Sequence, residues 1–228
     1  MLRKFIFLIV LSLISADFMF SQSETQSPYY TVYAVDRNTT IEQISLAQRF
    51  IAQEYYSDAI ALLLETSKND SILRESYSEI FNAAVLSKNT SDSVLSCLQK
   101  GLRIFNDDDE MYYFNGEFYR LKSEYSKAIG FFDKAISLSD SIPQKSILYF
   151  DYFKSRAICH FVLQDYKSAI VDYTEFINNR RLDAQVYLNR GICFSNTGNK
   201  KLAIADFKRA VNLGDKTAKI YLEKLTKP

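Results

Sequence analysis

Tryptophan is absent from the 228 residues, and glycine and proline are scarce, at six and three. So few turn formers argue against an all-β fold with many tight turns. The missing indole also removes a side chain on which sugar platforms often rely. The three cysteines, Cys97, Cys159 and Cys193, stand far apart, and His160 is the one histidine. Metal sites of Cys/His type need clustered ligands, so neither metal nor cofactor is expected. No cysteine precedes Cys97, which excludes a lipid-modified N-terminal Cys. No glycine-rich phosphate loop, paired catalytic carboxylates or Ser/His/Asp set stands out, so no catalytic residue and no enzyme is expected. Formal net charge is only +1, which gives no reason to expect nucleic acid or an anionic membrane as partner. The chain also lacks a long apolar run. The longest, Phe5 to Ala16, has twelve residues, against about 20 needed to span a bilayer.

That run follows Arg3 and Lys4 and ends at Asp17, the layout of a secretory signal peptide. Residues 1–21 are read as such, with cleavage near Ser21 (Ala16 is the other candidate) and an exported, periplasmic or extracellular product. An uncleaved anchor is the alternative. Residues 22–39 carry Pro28, Tyr29, Tyr30 and Tyr33 without a helical period and are read as an irregular tether.

What is present is apolar residue in ordinary globular proportion, 47%, with 33 Tyr and Phe. Its pattern is clearest between Ala184 and Thr217. Gly191 and Phe194 lie on one run, Thr197-Gly198-Asn199 forms a turn, and Ala203, Phe207 and Ala210 follow at i, i+4 and i+7. Each run places its set on one helix face, so the segment reads as a helical hairpin of 34 residues. One hairpin cannot bury its apolar face alone. The pattern returns upstream at Ala169/Tyr173, Ala128/Phe132, Val94/Leu98 and Ala59/Leu63.

On these residues the chain resembles the tetratricopeptide repeat (TPR) family, whose period is about 34 residues. It matches that family's small residue at position 8 (Ala47, Gly116, Ala157, Gly191) and its aromatic at position 17 (Tyr56, Tyr125, Tyr166). The resemblance implies an all-α, right-handed α-solenoid of about five repeats, 40–73, 75–108, 109–142, 150–183 and 184–217, closed by a capping helix, 218–228. Repeat 2 fits least, with Asn82 at position 8 and Thr90 at the turn aromatic. Seven extra residues before repeat 4 are about two helical turns, which predicts a helix lengthened to 143–163; a longer loop is the alternative.

Repeats 4 and 5 share Arg at position 7 (Arg156, Arg190) and Asp at position 23 (Asp172, Asp206), a pairing absent from the other repeats. Opposite charges that occur together predict an ion pair across each hairpin, or to the next repeat. His160 reads as a packed core residue. The cysteines read as three buried thiols, because equivalent positions on packed helices lie about 8–10 Å apart and a disulfide needs less than about 7 Å. The acid run Asp107 to Glu110 reads as a helix N-terminus.

The family commonly holds ligands in a concave groove lined by the first helix of each repeat, at positions 2, 5, 9, 12 and 13. Carried over, these are Glu110, Tyr113, Glu117, Arg120 and Leu121; Asp151, Lys154, Ile158, Phe161 and Val162; and Gln185, Leu188 and Ile192. Ile158, Phe161, Val162, Leu188 and Ile192 would form an apolar strip, unusual on an exposed face without a partner. The resemblance thus implies an exported, non-catalytic scaffold for a protein or peptide, with no membrane span after signal cleavage. A small-ligand or glycan-binding accessory protein is the rival reading, and self-association through the strip a further one.

Overall fold

A computed structural model describes residues 28–179 and 182–227, and the N-terminal segment read as a signal lies outside them. The chain divides into two units, residues 1–41 and 42–228. Among the described residues there are eleven α-helices and no strand: α1 Pro28–Ala52, α2 Tyr56–Asn69, α3 Arg74–Ser87, α4 Asp92–Ile104, α5 Asp109–Leu121, α6 Tyr125–Asp140, α7 Tyr149–Val162, α8 Tyr166–Asn178, α9 Ala184–Asn196, α10 Lys200–Asn212 and α11 Lys216–Thr226. Within the larger unit each helix packs chiefly on its chain neighbours, the arrangement of an α-solenoid.

Aspartates start several of these helices. The Asp108 carboxylate accepts from the backbone of Glu110 and Met111, Asp183 from Gln185 and Val186, Asp165 from Ser168 and Asp215 from Ala218. Each satisfies orphan donors of a first turn. The acid run is therefore a helix start, as its composition suggests.

Within each hairpin the turn is made by one residue with left-handed backbone. These are Glu54, Lys88, Ser123, Gln164 and Gly198, at φ of 63, 55, 61, 61 and 82°. Only the last is glycine, so four turns hold a side chain where an L-residue is disfavoured. The spacing of these residues also fixes the frame of repeat 2, whose first helix begins at Arg74, one residue before the boundary read from sequence.

Small residues meet large ones where the helices cross. A Cβ added at Gly116 would lie 2.6 Å from Phe132, and one at Gly191 2.6 Å from Phe207. Repeat 2 reverses the arrangement. Its small residue, Gly101, is on the second helix and would meet Tyr77 of the first, again at 2.6 Å.

Two expectations are corrected. Residues 28–39 belong to α1 and are not an irregular tether. Pro28 suits a first helical position, and extending an existing helix fixes one residue at a time, far easier than nucleating one. The residues before repeat 4 form a loop: α6 ends at Asp140 and α7 begins only at Tyr149. Pro143 disfavours helical backbone at Ile142, Lys145 Nζ donates to the Ser139 carbonyl at the end of α6, and Ser146 Oγ accepts from Leu148 N. Ile147, in this loop, is 81% exposed.

At the other end, α11 buries Ala218 and lays Leu222 and Leu225 against the core around Phe207. Its lysines remain exposed.

Candidate partner groove

The first helices of repeats 3 to 5, α5, α7 and α9, carry the candidate residues, and α3 is the first helix of the repeat before them. Side-chain bonds tie each of these helices to the next. Arg74 of α3 forks onto Asp108, at the start of α5, and its Nη2 also reaches Glu110. The Tyr152 hydroxyl of α7 donates to Asp109 of α5 over 3.1 Å, and Ser146 Oγ bonds Glu110. Lys154 of α7 stands 3.6 Å from Asp183, the cap of α9, and 3.6 Å from Asp151 of its own helix. Hydrogen bonds thus join α3 to α5 and α5 to α7, and an ion pair joins α7 to the start of α9.

Several candidates lie deeper than the sequence suggested. Tyr113 is a partly buried ring packed against the core. Its centroid is 5.0 Å from Tyr152, 6.0 Å from Phe132 and 6.0 Å from Phe81, and burial pushes its hydroxyl well above the ordinary phenol value. Glu117 is only 5% exposed and takes a forked pair from Arg120, Nε–Oε1 3.0 Å and Nη2–Oε2 2.6 Å. That bond holds the Arg120 guanidinium above its ordinary value. A family position indicates which side of a helix faces the groove, not how far the neighbouring helices cover it. Here α3 and α7 close over Tyr113.

The apolar strip is corrected on the same ground. Leu188 is buried at 4%, while Ile158, Phe161 and Ile192 pack into the core clusters of repeats 4 and 5. Val162, 45% exposed, is the member left open to solvent. Leu121 is half-buried, and Gln185 is exposed with its amide bonded to Asn189.

The cysteines are all free and buried. Burial pushes Cys159 and Cys193 up to about 12. His160 is half-buried with Nδ1 3.3 Å from Asp165 Oδ2. Among the described residues no three His, Cys, Asp or Glu side chains could hold a metal ion together, and no helix is long and apolar enough to cross a membrane.

The tetratricopeptide repeat model matches residues 184–213. Solved structures align with much more of the chain. MamA is 19% identical, with 76% of this chain and 96% of that one covered at a TM-score of 0.63. YrrB, described as a TPR protein with an unusual peptide-binding site, is 15% identical over 85% and 97%, TM-score 0.62. The fold is shared with TPR proteins. PilW, described as a widely conserved type IV pilus biogenesis factor, is 16% identical over 82% and 86%, TM-score 0.67. No curated protein matches by sequence.

Sequence reasoning missed the Arg74–Asp108–Glu110 junction. Arg74 lies 34 residues before Asp108, so the repeat period itself was a signal, hidden by the one-residue frame shift of repeat 2.

Proposed function

We propose that this chain is an exported, non-catalytic adaptor that binds a protein or peptide along the face formed by α3, α5, α7 and α9. The observation that carries the reading is the chain of side-chain bonds joining those helices, Arg74 to Asp108 and Glu110, Tyr152 to Asp109, and Lys154 to Asp183. A surface fixed before binding loses less conformational freedom on binding. The shared fold supports the same reading, YrrB being a TPR protein with a peptide-binding site and PilW a pilus biogenesis factor. Export rests on the basic, apolar and small-residue order of residues 1–21.

Tyr113 and Glu117 are unsuitable for testing the face, because replacing them would disturb the core. Asn82, Val162 and Gln185 are exposed on α3, α7 and α9. Affinity capture from the host's envelope fraction with the unaltered chain, beside Asn82→Arg/Val162→Asp/Gln185→Arg, is the test. A protein retained by the first and lost with the second, at equal melting temperature, is the expected result. Equal retention by both would move binding off this face.

A further inference from the structure

Charge is distributed unevenly along a chain whose total is nearly zero. Residues 42–110 hold twelve Asp and Glu against six Lys and Arg, while residues 200–228 hold eight Lys and Arg against three acids. In a globular fold such a difference would be mixed by long-range packing. In a solenoid each repeat meets only its neighbours, so separation in sequence is kept in space.

At the C-terminal end the imbalance is sharper at the surface than in the count. Of the three acids at the C-terminal end, Asp206 is buried and takes both nitrogens of a fork from Arg190. Asp215 accepts from Ala218 N as the cap of α11. Glu223 is left as exposed counter-charge among Lys200, Lys201, Lys208, Lys216 and Lys219, all of them exposed. At the other end Arg74 is already taken by Asp108 and Glu110. Seven acids there are exposed, Glu42, Glu54, Asp58, Glu65, Glu75, Asp92 and Asp107, against four bases, Arg49, Lys68, Lys88 and Arg103.

We propose that the basic surface of α10 and α11 docks onto the acidic surface of residues 42–110 of a second copy of this chain. The two surfaces are complementary in sign and occur in equal numbers because one chain carries both. With a net charge of +1, no overall repulsion keeps copies apart. The contact is heterologous, so each copy keeps one free end of each sign and growth is open unless the rotation closes a ring. This route needs no exposed apolar strip, and it leaves the α3–α5–α7–α9 face unassigned, so it stands apart from the adaptor reading.

Sedimentation velocity of the purified chain over a concentration series tests it. Between about 0.01 M and 0.15 M salt the screening length falls from roughly 30 to 8 Å. The expected result is an average mass that rises with concentration at the low salt and returns to the monomer at the high one. Lys201→Glu/Lys208→Glu/Lys216→Glu/Lys219→Glu should be monomeric alone at low salt. Mixed with the unaltered chain it should still be taken up, through its intact acidic end, and shorten the assemblies. The matching Lys→Gln variant removes charge without adding any and should also be monomeric, which guards against a variant that fails to fold. A constant monomer mass at low salt overturns the proposal. So does association of either variant equal to that of the unaltered chain. Binding of a monomeric chain to phosphatidylglycerol vesicles would assign the basic surface to a lipid instead, and would equally overturn it.

Discussion

Arg156 grips Asp172 across its own hairpin with a two-pronged bond, Nε–Oδ2 2.8 Å and Nη2–Oδ1 2.7 Å, and turns Nη1 to Asp133 of the preceding repeat at 2.6 Å. Arg190 repeats the pattern one hairpin later, forking onto Asp206 at 2.8 and 2.8 Å and reaching Thr174 of the preceding repeat at 3.0 Å. Each arginine thus bonds within its repeat and back to the one before. Asp172 is 2% exposed, so removing it strands a largely buried guanidinium. Asp172→Ala should lower unfolding free energy by about 3 kcal/mol, far more than the roughly 0–1 kcal/mol of an exposed pair. Arg156→Met with Asp172→Leu should recover most of that loss. Urea denaturation of the unaltered chain and these two variants checks both statements.

The left-handed turn residues give an opposite expectation. Ser123 and Gln164 are exposed at φ 61°, where only glycine is free of steric cost. Ser123→Gly and Gln164→Gly should each raise stability by about 0.5–1 kcal/mol, the backbone relief exceeding glycine's added unfolded-state entropy. Gly198→Ala should lower it. Thermal melts of the three single variants would show the contrast.

At the helix crossings, Gly116→Ala should overpack against Phe132, with a cost of about 1–3 kcal/mol. Gly116→Ala with Phe132→Leu should cost less than the sum of the two single changes, because each relieves the other. A double-mutant cycle measures this coupling. Gly101→Ala should behave in the same way against Tyr77, since its Cβ meets that ring at the same distance.

Alkaline pH should destabilise the fold. Cys159 and Cys193 rise from the ordinary 9.0 to about 12 through burial, and Tyr77 from 10.0 to about 12. A raised folded-state value means full stability below the unfolded value and loss as pH climbs toward the folded one. Stability should therefore be flat to about pH 9 and then fall by about 1.4 kcal/mol per pH unit for each thiol kept protonated, levelling near 12. Denaturation midpoints at several pH values would reveal the onset. A decline beginning near pH 7 would contradict the burial of these groups.

The hairpins were legible because small and aromatic residues recur at fixed offsets, as in Gly191 with Phe207. The arginine pairs were legible because Arg156 with Asp172 and Arg190 with Asp206 occur together. The segment before Tyr149 was not, since seven residues suit two helical turns as well as a loop, and only the bonds of Lys145 and Ser146 separate these. The site was legible in outline alone. Family positions place the candidates on α5, α7 and α9, but the depth of Tyr113 and Leu188 depends on which side chains neighbouring repeats bring to them.

Site-specific photo-crosslinking in the host tests the adaptor reading most directly. A photoreactive residue at Asn82, Val162 or Gln185 samples the proposed face, and one at Lys134 or Val171, exposed on α6 and α8, samples the second helices. The account predicts one protein partner crosslinked from the first set and absent from the second. Adducts from Lys134 or Val171 alone would contradict it.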